Sequence, residues 1–183
     1  MSPYENNNSQ SQCFSVTREK TMIQAMATKT CPGKQGEITV STSRFGQLSV
    51  NQKKIITMTS PFLGFPKAKR FFVKPHGEDS PFLWLQSLDD PKLAFVAMQA
   101  SILIPQYQPE ISGLPREELQ ASPEQPLEIL LILTIPRENP EGMTANLMGP
   151  VAINADKRLA KQVLQDPTRY DACWPVFTMD PAK

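Results

Sequence analysis

The side chains that could run a reaction are few and scattered. The one histidine, His76, lies in a Pro75-His76-Gly77 turn, and any Ser-His or Cys-His acid-base arrangement would rest on it alone, with no nucleophile spaced to join it. It reads as a solvated turn residue. Cys13, Cys31 and Cys173 are odd in number and far apart, with no Cys-x-x-Cys pair, so they offer neither a disulfide framework nor zinc-ligand spacing and read as reduced thiols. The 8 glycines form neither a P-loop nor a dinucleotide fingerprint. No catalytic residue, metal or cofactor is expected, and the chain reads as a non-enzyme.

Three further groups invite a function. Asp89-Asp90 resembles a carboxylate pair for glycoside or metal chemistry, but adjacent strand residues point to opposite faces, and before Pro91 two acids more simply cap a bend. Trp84 is first a core aromatic and only second an interface anchor. Lys67, Lys69, Arg70 and Lys74, with Phe71 and Phe72 among them, outline a basic patch. It is a weak stacking platform for nucleic acid, although a nucleic-acid-binding β-barrel built on it is the competing reading.

Charge is the stronger clue. The net charge of +1 hides a segregation: residues 1–77 hold 11 Lys+Arg and 3 Asp+Glu, residues 78–141 hold 3 and 11, and residues 142–183 hold 5 and 4. An acidic segment facing a basic protein is one consequence. The other is that charges from distant segments intermix once the sheet forms.

These groups must be positioned by short strands. At 183 residues, with 40% hydrophobic residues and 18 prolines against 8 glycines, the chain suggests one domain in which long helices do not dominate. No apolar run reaches the roughly 18 residues of a bilayer span, and the polar N-terminus lacks the pattern of a secretory signal, so the cytoplasm is the expected compartment. Residues 1–36 show no period and read as a disordered extension, in which Met22 and Met26 offer alternative translation starts. Alternation then predicts strands around 38–40, 45–50, 55–58, 70–74, 82–88, 93–98, 127–135, 143–147, 151–154 and 159–164. Pro115 with Glu117 and Glu118 predicts one short helix. Pro105 should keep Ile102-Leu103-Ile104 out of a sheet interior. So many short strands between Pro, Gly, Asn and Asp turns imply an all-β fold, a small closed or partly open antiparallel β-barrel with one short helix, because closure removes exposed edges. The expected boundaries are 1–36 for the extension, 37–171 for the barrel and 172–183 for a C-terminal tail.

The stretch Ser80-Pro81-Phe82-Leu83-Trp84-Leu85-Gln86-Ser87-Leu88-Asp89-Asp90-Pro91-Lys92-Leu93 resembles the signature of the flagellar assembly factor FliW family. Ser43-Arg44-Phe45-Gly46, Phe62-Leu63-Gly64-Phe65, Met143 to Asn154 and Lys161-Gln162-Val163 agree with it in order, from about Ile38 to Tyr170. The resemblance implies a small β-barrel, monomeric when free, that binds CsrA, the dimeric repressor of flagellin translation, and flagellin itself. In that partner switch, free flagellin sequesters the factor; once flagellin is exported, the released factor engages CsrA away from its RNA surface and relieves repression. No membrane and no direct nucleic-acid contact is implied. The acidic segment gives this a physical footing, since an RNA-binding regulator is expected to be basic. On that basis Glu78, Asp79, Asp89 and Asp90 are expected to rim an apolar centre, with Gln86, Ser87 and Asn146 as specific contacts unless they satisfy backbone groups in turns.

Overall fold

The computed structural model describes residues 36–177. The expectations for residues 1–35 and 178–183 lie outside the described residues. Eleven strands and two short α-helices follow in order: β1 (Glu37–Thr42), β2 (Gly46–Asn51), β3 (Ile56–Met58), β4 (Arg70–Pro75), β5 (Phe82–Ser87), β6 (Ala94–Gln99), α1 (Ala100–Leu103), α2 (Leu114–Glu118), β7 (Glu128–Thr134), β8 (Thr144–Ala145), β9 (Val151–Asn154), β10 (Leu159–Gln162) and β11 (Trp174–Pro175).

Strands β3 to β7 run as an antiparallel meander with β6 against β7, β7 also pairs with β9, and β9 returns through β10 to β3. The loop closes, giving a seven-stranded barrel in which β3 and β10 are the one parallel pair. The expected barrel is therefore present, with that parallel pairing and a second helix, α1, added. Pro105 does keep Ile102 to Ile104 out of the sheet, but Ala100–Leu103 closes into a helical turn.

Alternation explains the interior. Phe71, Leu85, Ala97, Leu130 and Ile153 are buried within one cluster with Ile56, Met58 and Ala160. Strand β7, Glu-Ile-Leu-Leu-Ile-Leu-Thr, is apolar on both faces because its outward residues are covered too: Leu131 and Leu133 pack with Met98, Met143 and Leu147 beneath α1 and β8. A third cluster, Leu119 with Ala152 and Val163, seats α2 on the barrel wall.

The hairpin β1–β2 forms its own two-stranded sheet. Its turn closes through Gly46, whose φ of +68° only glycine adopts without strain. Thr42 completes it, accepting from the Phe45 N–H and donating to the Gly46 carbonyl, both at 3.0 Å. Side chains fasten the hairpin to β5. The Phe45 ring meets Trp84 edge-on at 5.5 Å, Arg44 lies 4.5 Å over the indole, and Trp84 Nε1 donates to His76 Nδ1 at 3.0 Å. Trp84 is thus a staple between hairpin and barrel rather than an interior residue. His76 is its hydrogen-bond acceptor.

Strand β11 falls within residues 172–183 and pairs with β8. Nearby, Tyr107 donates to the Leu147 carbonyl at 2.5 Å, and burial, with Tyr170 beside it, raises the phenol well above its ordinary pKa.

Candidate protein-docking face

The Asp89-Asp90 turn is built from the inside out. Ser87 Oγ accepts the N–H groups of both Asp89 and Asp90 at 3.1 Å. Gln86 Nε2 donates to the carbonyls of Ser87 and Leu93, each at 3.0 Å. Gln86 and Ser87 are 0% exposed, so these two expected contacts hold the turn and present nothing to a partner. Buried polar groups whose bonding capacity is spent on backbone are architecture. The Gln86 Oε1 acceptor is left without a partner.

Asp89 is likewise committed. Its Oδ2 accepts the backbone N–H of Lys69 at 2.8 Å and of Arg70 at 2.7 Å, while its Oδ1 pairs with the Arg70 guanidinium at 2.7 Å. Burial alone would raise the carboxyl pKa; the two backbone donors and Arg70 outweigh it and hold the group below its ordinary value. Asp90 accepts only the Lys92 N–H in its own turn, at 2.9 Å, and stays exposed.

Glu78 and Asp79 are exposed in the loop between β4 and β5. That loop and the Asp89-Asp90 turn are at opposite ends of β5, a strand roughly 17–20 Å long. The four acids therefore form no single rim. The basic patch is also broken up: Arg70 is paired with Asp89, and Lys74 lies 5.1 Å over the Phe45 ring. Charges segregated in sequence have intermixed in space.

The loop before β4, legible in the sequence as a proline-bracketed loop with apolar residues, has no place among the expected contacts. Phe62 is buried and stacks on Phe95 at 4.5 Å, and Phe65 meets Phe95 edge-on at 5.3 Å. Between them the chain reverses at Gly64, φ +82°, with the Phe65 N–H bonded to the Phe62 carbonyl at 2.8 Å. The anchored ends push Leu63 outward, 50% exposed.

The loop is braced on its other side by β10. Gln162 Oε1 accepts the Leu63 N–H at 3.3 Å, and its Nε2 donates to the Gly149 carbonyl at 3.2 Å. Asn146 Oδ1 in turn accepts the Gly149 N–H at 2.8 Å, so half-buried Asn146, expected as a contact, also serves this bracket. A Cβ on Gly149 would stand 3.0 Å from Gln162 Nε2 and 3.3 Å from the Asn146 amide. Lys161 completes the bracing, donating to Ser60 Oγ at 3.2 Å and pairing with Glu118 of α2 at 2.6 Å. The Lys161 hydrogen bond, helped by one from Thr59, holds the Glu118 carboxyl below its ordinary pKa against partial burial.

Two residues past Gln162, on the same side of the extended chain, Leu164 is 64% exposed. Leu63, Leu164 and Phe65 give an apolar strip at this end of the barrel, and beside it a cleft of about 200 Å³ separates Gly64 to Ala68 from Asp89, Asp90 and Leu93. Large apolar side chains held out into water on a hydrogen-bonded frame are what a protein-docking face requires. The signal in the sequence was the Phe62-Leu63-Gly64-Phe65 run itself, two anchors around an outward residue and a reversing glycine. Among the described residues, no group of three or more His, Cys, Asp or Glu side chains could hold a metal ion. No helix among them is long and apolar enough to cross a membrane.

The described residues form a small closed β-barrel with an appended hairpin and a braced apolar face, and comparison with known proteins places the barrel in the class of the flagellar assembly factors. The family model described as FliW protein matches residues 39–176. The chain is 38% identical over 122 residues to the flagellar assembly factor FliW of Magnetococcus marinus, covering 67% of this chain and 75% of the relative. To that of Syntrophus aciditrophicus it is 40% identical over 136 residues, covering 72% and 85%. A crystal structure of the flagellar assembly factor FliW superposes with a TM-score of 0.70 at 31% identity, over 78% of this chain and 99% of that one. The chain belongs to the FliW family.

Proposed function

We propose that this protein regulates flagellar assembly in the cytoplasm by partner exchange: its barrel domain, residues 37–171, binds flagellin while flagellin is abundant and, once released, binds CsrA and lifts the repression of flagellin translation. The observation that carries the reading is the Leu63, Phe65 and Leu164 strip, which membership of the FliW family alone would not locate. Docking there buries apolar area, while the exposed Asp90 favours approach of a basic regulator.

Titration calorimetry with purified CsrA and purified flagellin, singly and then in competition, tests it. The expected result is binding of both partners and displacement of one by the other. Leu63→Asp with Leu164→Asp weakens at least one partner by tenfold or more on the order expected for lost hot-spot residues, whereas Glu78→Lys with Asp79→Lys leaves both nearly unchanged. Absence of binding to either partner refutes the reading. Retention of flagellin leader RNA in a gel shift without CsrA would favour the nucleic-acid alternative, against which the Arg70–Asp89 pairing already weighs.

A further inference from the structure

Among the described residues the barrel is plugged at one end and open at the other. Phe62, Phe71 and Phe95 fill the end near the docking face. At the far end, formed where β4 and β6 finish and β5 and β7 begin, a concavity of about 270 Å³ remains. Its floor is apolar: Ile56, Val73, Leu83, Leu130 and Ile153. Its rim is Lys54, Gln99, Glu128 and Arg158.

Two features separate this rim from an ordinary solvated barrel end. Gln99 is two residues on from buried Ala97, and Glu128 two before buried Leu130, so both occupy positions whose neighbours along the strand face the barrel interior. Arg158 has a φ of +56°, a left-handed conformation that costs a side-chain-bearing residue energy. The bond from the Thr57 N–H to the Arg158 carbonyl, at 2.8 Å, fastens it there.

The charges at this mouth are unspent. The ion pairs within 4.0 Å among the described residues are Arg70–Asp89 and Lys161–Glu118, so Glu128, Lys54 and Arg158 line one cavity without pairing with one another. Opposite charges held apart around an apolar floor leave a span for a molecule that carries both charges and an apolar body. We propose that the open mouth of the barrel binds a free α-amino acid with a branched apolar side chain, its ammonium on Glu128, its carboxylate on Arg158 and Lys54, and its side chain on the Ile56, Leu83 and Ile153 floor. The site lies at the barrel end opposite the docking strip and does not depend on which partners that strip takes.

The test is a nuclear magnetic resonance titration of the ¹⁵N-labelled full chain with L-leucine, to about 10 mM, because nine non-hydrogen atoms at modest efficiency support a dissociation constant on the order of 1 mM. Amide shifts are expected at Leu83, Gln99, Glu128 and Arg158 and absent at Leu63 and Leu164. Leucinamide, lacking the carboxylate, and 4-methylpentanoate, lacking the ammonium, each bind about tenfold or more weakly, since a charged group left unpaired is penalised. Glu128→Gln weakens leucine and not 4-methylpentanoate. Arg158→Gly removes the guanidinium where glycine is unstrained, so it weakens leucine while leaving the melting temperature unchanged or higher. Absence of shifts at about 10 mM, equal shifts from all three compounds, or leucine binding unaltered by both variants overturns the proposal.

Discussion

The sharpest consequence of the geometry concerns which half of the Arg70–Asp89 pair matters. Arg70 is 58% exposed in its side chain and Asp89 18%, so the ion pair itself contributes at most about 1 kcal/mol after solvent screening. The Asp89 carboxylate also accepts two backbone N–H groups at the start of β4. Charge-assisted bonds to backbone are worth about 1.5–3 kcal/mol each when buried. Halved for partial exposure, the two make Asp89→Ala cost about 1.5–3 kcal/mol. Asp89→Asn keeps an oxygen for the N–H groups and loses the charge, so it costs about 1 kcal/mol. Arg70→Ala costs less than about 1 kcal/mol.

In a barrel of this size each kcal/mol shifts the melting temperature by about 3–5 °C, so Asp89→Ala melts roughly 10 °C lower and Arg70→Ala within a few degrees of the parent. Urea denaturation with two optical probes supplies the free energies and tests the two-state assumption. The pH dependence gives an independent check. The Asp89 carboxyl is held below its ordinary value in the folded protein, so its contribution is present above the ordinary carboxylate value and disappears as pH falls through the lower folded value. The stability gap between parent and Asp89→Asn must therefore narrow in acid. If Arg70→Ala costs as much as Asp89→Ala, or the gap persists in acid, capping of β4 is not what Asp89 does.

Asp90 accepts a bond only within its own turn, so Asp90→Lys keeps its unfolding free energy within about 0.5 kcal/mol while slowing CsrA association and flattening its salt dependence; it is a cleaner charge probe than Asp89. Gly149→Ala displaces the Gln162 amide from the Gly149 carbonyl and the Leu63 N–H, costing about 1–2 kcal/mol and weakening partner binding beyond that loss, as calorimetry at a temperature where the variant is fully folded will read. Phe71→Ala removes a fully buried ring packed against Phe62 and Phe95, and chemical denaturation should register about 3–5 kcal/mol. Glu118→Gln removes a carboxyl held below its ordinary value by Lys161. Stability dependent on that carboxylate is present above the ordinary carboxylate value and lost as pH falls through the lower folded value, so the pH profile of the variant should be flatter in that acid range, with no difference if Lys161 merely rests on the surface.

Strand positions were legible because each depends on local information. Period-2 alternation located β4, β5, β6, β9 and β10 within a residue or two, and Pro115 marked the start of α2. Closure was inferable from the number of short strands, yet its agent, β7 pairing with both β6 and β9, showed only as a strand apolar on both faces. Strand β8 lies inside the longer strand expected at 143–147, whereas the two-residue β11 is too short to carry a period and exists because β8 offers it an edge. Burial of Gln86 was invisible because a glutamine in a strand usually faces water; the meeting of its amide with the Ser87 and Leu93 carbonyls makes the interior tolerable.

The candidate site failed to be read for a more general reason. Polar residues in a distinctive motif suggest recognition, but a tight barrel has turns whose backbone groups must be bonded, and the same polar residues are the cheapest way to do so. Gln86, Ser87 and Asp89 are used in that way, and Asn146 in part. A partner needs surface whose solvation is unfavourable and whose shape is already set, which describes Leu63: its N–H is satisfied by Gln162, its flanking phenylalanines are locked on Phe95, and half of its surface faces water. The polar part of the motif builds the frame on which the apolar part is displayed. Substituting the frame should alter stability and binding together, while substituting Leu63 or Leu164 should alter binding alone, and that separation is what distinguishes a docking residue from the architecture supporting it.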